Sequence, residues 1–179
     1  MLRRLVPSTL VLALVVVAAG CGGSDSASDT NATTEWANGV CASVSAWTTS
    51  ITATAESLTT NFSASSLQTA AEETKSATET FVDDLKSVGK PDIEAADEAQ
   101  QTISTLTDEL TADIATIDDA LQGVSGVSEV GAAVTVVTTT LGTMGTQVST
   151  AFDSLEKLDA KGELETAFEQ ASSCDELSS

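Results

Sequence analysis

Histidine and tyrosine are absent from this 179-residue chain, and its aromatic side chains stop at Trp36, Trp47, Phe62, Phe81, Phe152 and Phe168. Missing histidine removes the commonest general base and the commonest transition-metal ligand. Zinc chemistry and Ser-His or Cys-His nucleophilic catalysis are therefore excluded by inventory. Basic residues are scarce too, seven Lys and Arg against 27 Asp and Glu. Nucleic acid, which is gripped through clusters of Lys and Arg, is excluded as a partner. Carboxylate or lysine chemistry survives the inventory with nothing pointing to it. A non-enzymatic protein without a cofactor is the expectation.

One unbroken apolar run is present, Leu10 to Ala19, preceded by Arg3 and Arg4 and followed by Gly20 and Cys21. Such a run falls short of the roughly 20 residues that span a bilayer and suits the core of an export signal. Val17-Ala18-Ala19-Gly20-Cys21 resembles the lipobox of bacterial lipoproteins, with Ala18 where that motif usually has Leu or Val. The resemblance implies cleavage before Cys21, a diacylglyceryl group on its sulfur, and anchorage on the extracytoplasmic side of the cell membrane. An ordinary secretory cleavage at an Ala-x-Ala-like site is the alternative. With 1–20 removed as signal peptide, five lysines face all 27 acids, a net charge of −22. That charge opposes docking on anionic lipid, so attachment is expected through the acyl chains on Cys21 alone. Residues 22–34 hold no large apolar side chain and read, with Cys21, as a lipidated flexible tether ahead of a domain over 35–179.

Cys41 and Cys174 remain as an even pair in an exported chain, and an oxidising compartment favours a disulfide over two buried thiols. In the chain-entropy model, closing so long a loop stabilises by about 5 kcal/mol.

Helical periodicity runs through most of the remainder. Trp36, Val40, Val44, Trp47, Ile51, Ala55 and Leu58 mark a helix over 35–60, with Thr33 or Thr34 as its cap. Leu67, Ala70, Thr74, Ala77, Phe81, Leu85 and Val88 mark a second over 66–88, opened by the capping pair Ser65 and Gln68 and ended by Gly89. Pro91 is expected to start a third over 92–122, with Asp92 and Glu94 against the positive end of its dipole. The fourth, 127–158, has the most regular stripe, ten apolar residues from Val127 to Leu158 at alternating spacings of 3 and 4. Gly131, Gly142 and Gly145 oppose helix there by about 1 kcal/mol each, and a distortion is expected near 142–145. With Ala132 and Ala133 they are expected to let a neighbouring helix approach closely. No charge occurs between Val130 and Phe152, which raises a membrane span, but seven threonines make a buried bundle helix the preferred reading. A short fifth helix is expected over 163–176, with Cys174 at its end.

Four long helices joined by short turns alternate in direction, which predicts an all-α, up-down-up-down four-helix bundle with a short C-terminal fifth helix. The fourth helix then ends near the start of the first. A Cys41–Cys174 disulfide requires a turn near Gly162 that folds the last helix back across that end. Both topology and cysteine pairing favour the same closure.

Candidate chemistry is thin. Adjacent acids at Glu72-Glu73, Asp83-Asp84, Asp108-Glu109, Asp118-Asp119 and Asp175-Glu176 diverge by about 100° on a helix, and no EF-hand spacing occurs, so no metal site is expected. Trp36 and Trp47 fit the core stripe and are also the best candidates for a ligand pocket between helices. Thr138, Thr139 and Thr140 read as a solvated flank. Trp36-x-x-x-Val40-Cys41 with Trp47, the segment Leu85–Asp92 and the lipobox together resemble small helical lipoproteins of high-GC Gram-positive bacteria. That resemblance implies no activity and transfers no functional residue. The expected role is a lipid-anchored binding or interaction module of the cell envelope, its partner an envelope protein. The alternative is a sensor or accessory subunit holding a small ligand between its helices.

Overall fold

The computed structural model describes residues 25–60, 63–122, 124, 127–158 and 162–178, and their side chains except those of 25–30, 59, 60, 127, 176 and 178. Cys21 and residues 1–20, read above as a signal peptide, lie outside the described residues. The chain is all-α: α1 Asp25–Thr60, α2 Ala64–Val88, α3 Ala96–Leu121, α4 Val127–Lys157, α5 Glu163–Gln170 and a C-terminal 3-10 helix Ser172–Ser178. α1 packs chiefly on α2 and α3 on α4, α2–α3 contacts join the two pairs, and α5 with the 3-10 helix lies against α1. This is the expected four-helix bundle with its short fifth helix.

Each boundary that differs from expectation has a physical cause. α1 begins at Asp25, ten residues before Glu35, and so takes in most of the segment read as a tether. Once packing has nucleated a helix, each added residue gains a backbone hydrogen bond at little further cost. Thr33 is accordingly no cap. It is buried, and its hydroxyl donates to the Asp92 carbonyl at 3.4 Å. α2 is capped by Ser63 instead of Ser65: the Ser63 side chain accepts from the Ser66 amide at 3.0 Å.

α3 starts at Ala96, four residues later than expected, and its first-turn acids are Asp97 and Glu98 in place of Asp92 and Glu94. The preceding carbonyls are committed elsewhere. Gly89 O accepts the Trp36 indole N–H at 2.9 Å, and Asp92 O accepts from Thr33. Thus α1 holds the α2–α3 connection out of helix. Gly89 itself turns at φ 73°, which a glycine adopts without strain.

α4 runs unbroken through Gly142 and Gly145, without the expected distortion. Nor do its glycines admit a neighbouring helix. A Cβ built on Gly131, Gly142 or Gly145 meets nothing within 4 Å, and Ala132 is exposed, while Ala133 alone of this group is buried in the core. The close approach occurs at Gly39 of α1, where a Cβ would stand 3.1 Å from Val88 Cγ2 of α2. What keeps α4 helical is its buried stripe, with Val137 and Met144 fully enclosed. Among the described residues no helix is long and apolar enough to cross a membrane.

The turn at Gly162 is present, at φ 71°. α5 is shorter than expected, ending at Gln170, and Cys174 sits in the 3-10 helix that follows. That shorter coil brings Cys174 to Cys41, sixteen residues into α1, with the Cα atoms 5.1 Å apart and a disulfide between them. Asn38 Oδ1 accepts from the Ser173 amide beside it, fixing the 3-10 helix to α1 a second time. The base of the bundle therefore gathers the lower part of α1, the α2–α3 connection, the end of α4, α5 and the bridge.

Candidate functional site

The two tryptophans are built into the core. Trp36 is 5% exposed, and its ring lies 5.9 Å from Phe168, which in turn lies 5.0 Å from Phe152. Trp47 is 4% exposed and stacks on Phe81 of α2 at 5.4 Å, its indole N–H donating to Thr78 Oγ1 at 3.2 Å. Both indoles thus have their one polar group satisfied and their rings covered, as buried aromatics require. They sit in separate layers of the bundle and do not converge on one pocket.

Three open grooves follow the helix seams. One between α1 and α2, about 530 Å³, has Trp47 and Phe81 at its floor, Ser43, Ser50 and Thr80 along it, and Glu73 and Asp84 at its rim. A second between α1 and α4, about 500 Å³, is bordered by Val44, Trp47, Ile51, Leu141, Val148 and Phe152, with Leu177 and one acid, Asp153, at its edge. The third, about 610 Å³, lies between α3 and α4 beside Leu106, Gln147 and Ala151, with Glu98 and Glu109 on its rim. Trp47 borders two of the grooves and Trp36 none of these three. Their volumes suit a small ligand, but they are open clefts over a filled core.

Ionisable groups are arranged unevenly. Lys75 of α2 pairs with Asp118 of α3 at 3.2 Å, and Lys90 pairs with Asp97, whose carboxyl is held below its usual range by the lysine's hydrogen bond and charge. Asp113 is the exception among the carboxylates. Its Oδ2 is buried without a hydrogen-bond partner, and burial pushes its pKa above the usual carboxylate value, while a hydrogen bond from Gln147 pulls the other way. Gln147 Oε1, on the facing helix, is also buried without a partner. Sequence periodicity passed over this pair because Asp113 reads as one more acid on a helix flank. The available signal was its position three residues after Leu110 and directly before Ile114, on the edge of the buried stripe.

The acid doublets on α2 and α3 lie on exposed or half-exposed turns, and no group of three or more metal-ligating side chains occurs among the described residues. A further feature escaped the sequence reading. Residues 36–55 of α1 carry no charge, like 130–152 of α4. The two helices border one groove, so the molecule has a neutral face over the middles of α1 and α4, ending at Glu56 and Asp153, and an acidic flank over α2 and α3. Only Val136 and Leu177 are large apolar side chains left exposed among the described residues, so the neutral flank is a surface of hydroxyls, methyls and glycines. Such a face suits non-covalent contact. No protein-family model matches the chain, no curated protein matches it, and no solved structure matches it.

Proposed function

We propose that this chain is a lipid-anchored, extracytoplasmic module of the cell envelope that binds a protein partner without transforming it. The lipobox-like ending at Cys21 supports the anchor. The observation that carries the binding role is the two-sided surface. On a chain so acidic, the α1–α4 flank is where another envelope protein can approach without meeting like charge. A filled core under shallow grooves favours surface recognition over an enclosed ligand. The second reading, a small ligand held between helices, is favoured by Trp47 bordering two grooves.

The test combines anchor and surface. Cys21→Ser should abolish lipid labelling and either release the protein or block its processing; unchanged membrane retention overturns the anchor. Photo-crosslinkers placed at Thr48 or Ser149, both exposed beside the α1–α4 groove, should capture a protein in intact envelopes, while crosslinkers at Glu79 or Asp108 should not. Capture from the acidic positions alone overturns the assignment of the face. No capture from either flank, with quenching of Trp47 by a small envelope component, replaces it with the ligand reading.

A further inference from the structure

Two buried oxygens, one on each of the packed helices α3 and α4, have no hydrogen-bond partner. Asp113 Oδ2 belongs to α3 and Gln147 Oε1 to α4, and both atoms are buried although their residues are only half-buried. Leaving one buried acceptor unmatched is costly, and leaving two in one seam compounds the cost. A single proton resolves both.

We infer that Asp113 and Gln147 form a proton-operated clasp between α3 and α4. In the protonated state the Asp113 Oδ2–H donates to Gln147 Oε1, and the Gln147 amide donates back to Asp113 Oδ1, a reciprocal acid–amide pair. The proton comes from solvent and no bond other than these hydrogen bonds forms or breaks. In the ionised state the amide bond alone remains, and Oδ2 sets a negative charge against the glutamine carbonyl oxygen.

The surroundings favour the protonated form. α4 supplies no charge at all between Val130 and Phe152. On α3, Glu109 lies one turn before Asp113 and is an exposed carboxylate, and Asp118, five residues on, is bound to Lys75 of α2. That ion pair also sets the antiparallel register of α2, which brings Glu79 and Asp83, both exposed, nearest the height of Asp113. Among the described residues no other helix packs on α3. The unpaired charges nearest Asp113 are therefore carboxylates, none of which favours its ionised form, and burial raises its pKa. A carboxyl raised on folding contributes stability in full below its unfolded pKa and loses it as pH climbs through the folded value. Acid thus tightens α3 onto α4, and neutral pH loosens the seam at Gln147, which borders the α3–α4 groove.

Carboxyl-detected NMR titration of the mature protein tests the clasp, with Asp108 as the exposed reference and Asp113→Asn for assignment. Asp113 should titrate above Asp108. The Gln147 side-chain amide protons should exchange more slowly below the Asp113 midpoint than above it, by about tenfold for each unit that its pKa is raised. Asp113→Asn keeps a neutral reciprocal pair, so that difference should vanish while helicity stays. An Asp113 midpoint at or below that of Asp108 overturns the inference. So does Gln147 exchange whose opening equilibrium ignores pH, since the amide nitrogen, not the oxygen, would then face Oδ2.

Discussion

α1 and α4 differ from α2 and α3 in how they keep an exposed helical face compatible with water. α2 carries five acids and two lysines, and α3 carries seven acids and no base. On α1 and α4 hydroxyls take that place, and many return their proton to the carbonyl one turn back: Thr49 to Ser45, Ser50 to Ala46, Thr143 to Thr139, Thr146 to Gly142, Thr150 to Thr146. Threonine is a modest helix former because such local bonds compete with the ladder. Here the buried stripe fixes the helix, and the hydroxyls are satisfied within it. α2 and α3 hold 12 of the chain's 27 acids, whereas 36–55 of α1 and 130–152 of α4 hold none and present methyls and committed hydroxyls.

The sharpest way to break this comparison is to remove the bridge that ties α1 to the C-terminal segment. Cys41→Ala with Cys174→Ala should cost about 5 kcal/mol by the loop it closes, read as a lower midpoint in urea unfolding with a steeper slope, because the released unfolded chain exposes more surface. A smaller effect separates the glycines of the two seams. Gly142→Ala and Gly145→Ala should each stabilise by up to about 1 kcal/mol, because the new Cβ meets nothing and the unfolded chain loses freedom. Gly39→Ala should lower the thermal midpoint, since its Cβ would stand 3.1 Å from Val88 and force the α1–α2 contact apart. A stabilising Gly39→Ala would show that this seam is looser than its geometry. The smallest effect belongs to the acidic flank. Lys75→Ala should cost between about 0 and 1 kcal/mol, because the Lys75–Asp118 pair is close to half exposed, and that cost should shrink in high salt.

Periodicity carried the architecture. The stripe from Val127 to Leu158 predicted α4 in spite of three glycines, and the pairing of Cys41 with Cys174 followed from parity and topology together. Helix ends were less legible, and for a common reason. Ser63 against Ser65, and Ala96 against Asp92, were settled by bonds from elsewhere in the chain, such as Trp36 to Gly89 O, which no local window contains. The candidate site divided in the same way. Trp36 and Trp47 were placed correctly as core stripe residues, while their separate layers were visible only once Phe168 and Phe81 had been brought beside them. Asp113 was invisible because its neighbour, Gln147, comes from another helix. The neutral flank was half seen: the charge-free run in α4 was noticed, its counterpart in α1 was not, and only the fold sets them side by side.

The bridge has a mechanical consequence. Cys41 and Cys174 are 133 positions apart, and the bond between them short-circuits everything in that interval. Tension applied ahead of Cys41 and behind Cys174 runs through two sulfur atoms and bypasses α2, α3, α4 and α5. Held in this way, the chain can lengthen only outside the closed loop, so most of the bundle stays slack however hard its ends are drawn.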